Sequence, residues 1–194
     1  MPRVTKSRPS RAEPAEAPLA VVATRAHLML GGIAVIAIIL PMLWGFQSVW
    51  KRSILSSLTL QPGGWSGALV VVALSAVLHE GLHVLGWRSL GGTAWGSVSW
   101  RLAWRGLGLV ALLNAPVSMS AYRAATALPT IILGLAVASA GLVAGIGLLV
   151  FWGLFFLFEC LTDLALLFAS RSVPPDTQVL SHPDQLGLLI ASEA

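Results

Sequence analysis

Charge is what this sequence has least of. Asp, Glu, Lys and Arg make up 10% of its 194 residues, against about a quarter in an ordinary soluble domain. So few ions cannot cover a water-facing surface, which excludes a conventional soluble enzyme or binding module. Cysteine is almost absent too. Cys160 stands alone, so no intrachain disulfide and no cysteine-rich zinc knuckle can form. No basic patch suited to nucleic acid is present either: the formal charge is only +4, and five of the twelve basic residues (Arg3, Lys6, Arg8, Arg11 and Arg25) lie in the first 26. That placement is how a membrane chain marks its cytoplasmic side.

What is there instead is apolar. Hydrophobic residues reach 56% and the mean hydropathy is +0.82. Residues 1–26, rich in Pro, Ala and charge, read as a disordered basic cytoplasmic tail. No small-x-small site follows the first apolar run, so it reads as an uncleaved transmembrane helix and not as a signal peptide. A bilayer core of about 30 Å needs roughly 20 helical residues. His27–Phe46 and Trp65–Gly86 each supply them. Pro129–Phe168 is long enough for two crossings, with the hairpin expected between Gly147 and Trp152.

The fold class is therefore an all-α polytopic membrane protein of about four transmembrane helices. A membrane-embedded domain over 27–170 is followed by a cytoplasmic C-terminal tail over 171–194. With both termini cytoplasmic, ten basic residues lie inside and only Lys51 and Arg52 outside. Trp44, Trp50, Trp65 and Trp152 then fall near outer helix ends and Trp87 near an inner one, where amphipathic rings prefer to sit. In the central cytoplasmic loop, 88–128, Trp100, Leu102 and Trp104 alternate with Arg101, Ala103 and Arg105. That period of two predicts a strand, within either a short β-hairpin or a re-entrant segment.

Into the second apolar helix the chain sets "HEGLH", His79 to His83. Residues four apart share one helix face, so both imidazoles can point at a single ion. Glu80 beside them can reach a water on that ion and act as general base. Clustered ionisable groups cost roughly 2.5–3.5 kcal/mol each in a membrane span, which argues for function over decoration. A catalytic zinc needs a third protein ligand and an open position. Glu159 and Asp163 are the remaining acids at membrane depth. Asp163 lies level with the two histidines when residues are counted back from the inner helix ends, and is the expected third ligand. Glu159, one turn deeper, is the alternative ligand or a neighbouring hydrogen-bond partner. Cys160 is expected to point elsewhere as a small filler, and Asn114 and His182 to be loop residues.

With these elements the sequence resembles the putative zincin membrane peptidase family of bacteria, a domain of unknown function. It is more distantly similar to the site-2 intramembrane metalloproteases. The resemblance rests on "HEGLH", on "TD" (Thr162 and Asp163), on "NAPVSMSAYRAATALPTIIL" and on "SHPDQLGLLI", covering 69–190. Site-2 proteases carry Asp-Gly where Asp163 is followed by Leu164. The resemblance implies a Zn2+-dependent endopeptidase of the bacterial cytoplasmic membrane, with His79, His83 and Asp163 as ligands, Glu80 as base and a peptide or membrane-protein substrate. The rival reading is a non-catalytic metal-binding membrane protein, either a lapsed peptidase or a metal transporter.

Overall fold

The computed structural model describes residues 19–60, 63–103 and 108–191. The expected disorder of 1–18, and Trp104 and Arg105 of the central strand, fall outside these residues. Six helices carry the fold: α1 (Arg25–Trp50), α2 (Ile54–Leu60), α3 (Gly64–Gly91), α4 (Met119–Ala144), α5 (Gly147–Glu159) and α6 (Leu161–Ser170). Three of them, α1, α3 and α4, are long and apolar enough to cross a membrane. The pair α5 and α6, bent by 44° at Cys160, is together long enough for a fourth crossing.

The first two spans fall where apolar length puts them, although α3 runs on to Gly91, five residues past the expected end. The third does not begin at Pro129. It starts ten residues earlier, at Met119, after the Ser118 hydroxyl accepts the Ala121 N–H as an N-cap. Pro129 is interior, and the chain absorbs it by widening into a π-helical stretch over Thr130–Ala136. The hairpin also lies earlier than expected, at Gly145 and Ile146, because Gly145 takes the positive φ of 68° that closes α4.

Parts of the two expected tails and of the central loop form strands. β1 (Ala20–Val22), β4 (Val117–Ser118), β5 (Gln178–Ser181) and β6 (Gly187–Ile190) form an antiparallel sheet in the order β1-β6-β5-β4. Val21 pairs with Leu188 and Val117 with Val179. The sheet gathers the start of α1, the start of α4 and the segment after α6, so both ends of the described chain meet at one end of the bundle. Tail composition did not betray these strands because each is short and its pairing is distant in sequence. Residues 88–118 do contain the hairpin alternative: β2 (Val98–Ala103) pairs in register with β3 (Gly108–Leu113), Trp100 opposite Ala111.

Two apolar clusters hold the bundle. One, at the sheet end, joins Val84, Trp87, Leu113, Met119, Tyr122 and Leu188. The other, towards Gly145, joins Phe46, Ile54, Ala138, Val150, Leu154 and Leu157. Close approach of α3 to α4 is set by Gly86, where an added Cβ would lie 2.6 Å from that of Ala125.

Candidate metal centre

His79 and His83 sit one helical turn apart on the buried face of α3. Their Nε2 atoms lie 3.2 Å apart. The bend at Cys160 brings α6 alongside, so that Asp163 Oδ2 is 2.9 Å from His79 Nε2 and Asp163 Oδ1 is 3.3 Å from His83 Nε2. All three residues are buried. Two helices far apart in sequence thus meet at one point, as the level of Asp163 predicted.

The second nitrogen of each ring decides what the first can do. His83 Nδ1–H donates to the Ala125 carbonyl at 3.1 Å. That carbonyl is available for a local reason: its helical partner would be the N–H of residue 129, and Pro129 has none. The proline in "AATALP" therefore leaves an acceptor open, and Gly86 lets α3 approach closely enough to use it. His79 Nδ1 faces Cys160 Sγ at 3.9 Å, a weak partner. With the protons on Nδ1, both Nε2 lone pairs converge on each other and on a carboxylate. Below the pair, His83 stacks on Trp87 and Trp87 on Tyr122, with ring centroids 5.8 and 5.9 Å apart.

Converging lone pairs repel unless a cation lies among them. Asp163 Oδ2 is buried and, despite its 2.9 Å approach to His79, has no hydrogen bond of acceptable geometry among the described residues. Around zinc with bonds of 2.0–2.1 Å, tetrahedral ligands are about 3.3 Å apart. The two Nε2 atoms are 3.2 Å apart, and each lies 2.9 or 3.3 Å from one or the other Asp163 oxygen, close to that spacing. The residues present therefore fit a tetrahedral divalent cation with three protein ligands. Cys160 shares the neighbourhood of His79 and Asp163, but it faces the Nδ1 side of the ring and cannot join the Nε2 set.

Glu80 is half-buried and near both histidines, its carboxylate within 4.8 Å of their nitrogens. Its Oε2 accepts the Ala111 N–H of β3 at 2.8 Å. The hairpin thus orients the carboxylate, a contact no motif could have announced. Glu159 stands apart: its Oε1 accepts the Ser75 hydroxyl at 2.7 Å, one turn before His79 on α3. The structure brings Asp163, and not Glu159, to the histidines.

A cavity of about 480 Å3 adjoins these groups. α3, α4 and α6 line it with Glu80, His83, Tyr122, Thr162 and Asp163; β3 lines it with Val110 to Leu112, and the β5–β6 turn with His182 to Leu186. Asn114 is exposed, bonded to Ser99, and does not line it. Cys160 was expected to point elsewhere, but three residues before Asp163 it shares that residue's side of the chain, and its sulfur reaches His79.

The family model described as "Putative zincin peptidase" matches residues 72–177, more than half of the chain, and the chain belongs to that family. The match includes His79, Glu80, His83 and Asp163 and ends before the β5–β6 turn. No curated protein and no solved structure matches the chain.

Proposed function

From that membership and the geometry, we propose that this protein is a zinc-dependent endopeptidase that cleaves peptide bonds within or beside the membrane. The carrying observation is the convergence of His79 Nε2, His83 Nε2 and the Asp163 carboxylate within 3.3 Å, with a separate carboxylate, Glu80, held close by. His79, His83 and Asp163 are the ligands. Bound zinc supplies a Lewis acid that lowers the pKa of water towards about 7 and polarises a carbonyl.

The chain's own groups do the rest. Ala111 N–H fixes one oxygen of Glu80, leaving the other to take the proton of the attacking water and return it to the leaving amine. Buried surroundings strengthen each of these interactions by excluding bulk solvent. The substrate is an extended segment of a peptide or membrane protein. The arrangement favours β3 as its dock. Ala111 and Leu113 send their N–H groups away from β2, to Glu80 and to Ser181 Oγ. By ladder alternation the Leu109 N–H and the Leu109 and Ala111 carbonyls also face away from β2, as a strand-adding peptide requires. The basic residues favour a cytoplasmic sheet end, so water arrives from the cytosol and substrate from the lipid.

The test compares wild type, Glu80→Gln and His79→Ala for cleavage of co-expressed membrane substrates, with zinc content measured for each. Glu80→Gln should keep its zinc and lose cleavage by at least the 10²–10⁴-fold typical of general-base removal. His79→Ala should lose both. Unchanged cleavage in Glu80→Gln would defeat the peptidase reading. Zinc transport into liposomes by that variant would support the transporter reading in its place.

A further inference from the structure

His182 opens the turn between β5 and β6, five residues beyond the family match. Its neutral ring is held in one tautomer. Nδ1 accepts two backbone N–H groups, from Asp184 at 3.1 Å and Gln185 at 3.0 Å. A nitrogen that accepts two donors carries no proton, so the neutral ring bears its hydrogen on Nε2. That nitrogen has no partner among the described residues, and the residue lines the cavity beside Glu80 and Asp163.

The turn itself is tied down. His182 N–H donates to the Gly187 carbonyl at 3.0 Å. From β2, Arg101 reaches across to the Pro183 carbonyl at 3.1 Å. β2, β3 and the turn thus all line the cavity, and Arg101 ties β2 to the turn. A donor fixed in tautomer and mounted on a braced turn loses little entropy when it binds. An extended peptide lying along β3 would direct alternate carbonyls away from that strand, into the cavity that the turn also lines.

We propose that His182 is a substrate-contacting residue, whose Nε2–H donates to a backbone carbonyl of the extended peptide lying in the cavity. This rests on the peptidase reading above. It makes the substrate requirement conformational: the turn grips main chain, so the segment cut must be unwound and strand-like, whatever its side chains.

The decisive variant is His182→Asn. The Asn Oδ1 can take over from Nδ1 as acceptor for the turn, as Asx residues do, while the donor at the Nε2 position is lost. With a quenched fluorogenic library of apolar decapeptides in detergent, kcat/KM should fall about tenfold, the value of one good hydrogen bond. Zinc content and thermal midpoint should match wild type. Cleavage within twofold of wild type would overturn the proposal.

A second measurement needs no catalysis. In Glu80→Gln protein with 15N-labelled histidine, adding the same peptides should shift the Nε2 resonance of His182 and leave its Nδ1 in place. An unmoved Nε2 resonance would also overturn it. If wild type cleaves nothing, the peptidase reading fails, and the imidazole shift decides the His182 contact by itself.

Discussion

Towards Gly145, α4 and α5 meet through missing side chains. An added Cβ on Gly153 would sit 2.3 Å from the Ala138 backbone nitrogen, and one on Gly141 would sit 2.5 Å from that of Val150. Around them the cluster of Phe46, Ala138, Val150, Leu154 and Leu157 is wholly apolar. At the sheet end the same α4 meets α3, again through a glycine, Gly86, but there the close approach delivers a carbonyl to His83. One device, small residues that let backbones touch, serves cohesion at one end and chemistry at the other. The difference lies in hydrogen bonding. Towards Gly145 the free carbonyls of Leu142 and Gly145 accept from Trp50 and Arg52, which ties the chain after α1 to the end of α4. At the sheet end Pro129 and the edge of β3 each leave a backbone group free, which His83 and Glu80 then use.

If that division is real, the two ends should fail differently. Gly153→Leu drives a side chain into the backbone of α4, and overpacking of that kind costs up to about 3 kcal/mol. The expected result is a large fall in thermal midpoint, with normal zinc content per folded molecule. Depleted zinc in the folded fraction would mean that the two ends are coupled.

Pro129→Ala attacks the opposite end with the opposite signature. It restores an N–H that competes for the Ala125 carbonyl and so loosens the orientation of His83. Loss of such a supporting bond typically weakens metal affinity about 10–100-fold. A helix-interior proline costs about 3 kcal/mol, so the zinc-free variant should be no less stable than wild type. Competition against a zinc chelator, paired with thermal unfolding of the zinc-free protein, reads both quantities. Equal zinc affinity in the two proteins would remove Pro129 from the site.

What could be read from residues alone follows the same division. His79, Glu80 and His83 were legible because helical spacing is local, and Asp163 because two parallel spans can be counted to a common depth. The hairpin of β2 and β3 was legible as one of two alternatives from period-two alternation. The sheet was not, since β1 and β6 pair across nearly the whole described chain and each strand is too short to show a pattern. Pro129 misled because proline favours the first turn of a helix. Its interior position becomes intelligible only when His83 is seen to need the carbonyl it leaves free.

Cys160 is where the comparison can be sharpened furthest with the smallest effect. On an unbroken helix Cys160 and Asp163, three residues apart, would be only about 60° apart in rotation and offset along the axis by about 4.5 Å, so they share one side of the chain with or without the break. The 44° bend makes Cys160 a junction, and its sulfur lies 3.9 Å from His79 Nδ1. Sulfur is a poor acceptor, so this contact should be worth well under about 1 kcal/mol. Cys160→Ala should therefore weaken zinc binding only about threefold by chelator competition, far less than Pro129→Ala, because the carbonyl on His83 is the stronger of the two supports. A loss equal to that of Pro129→Ala would place the two histidines on equal footing and make the Cys160 sulfur as important to zinc binding as the proline.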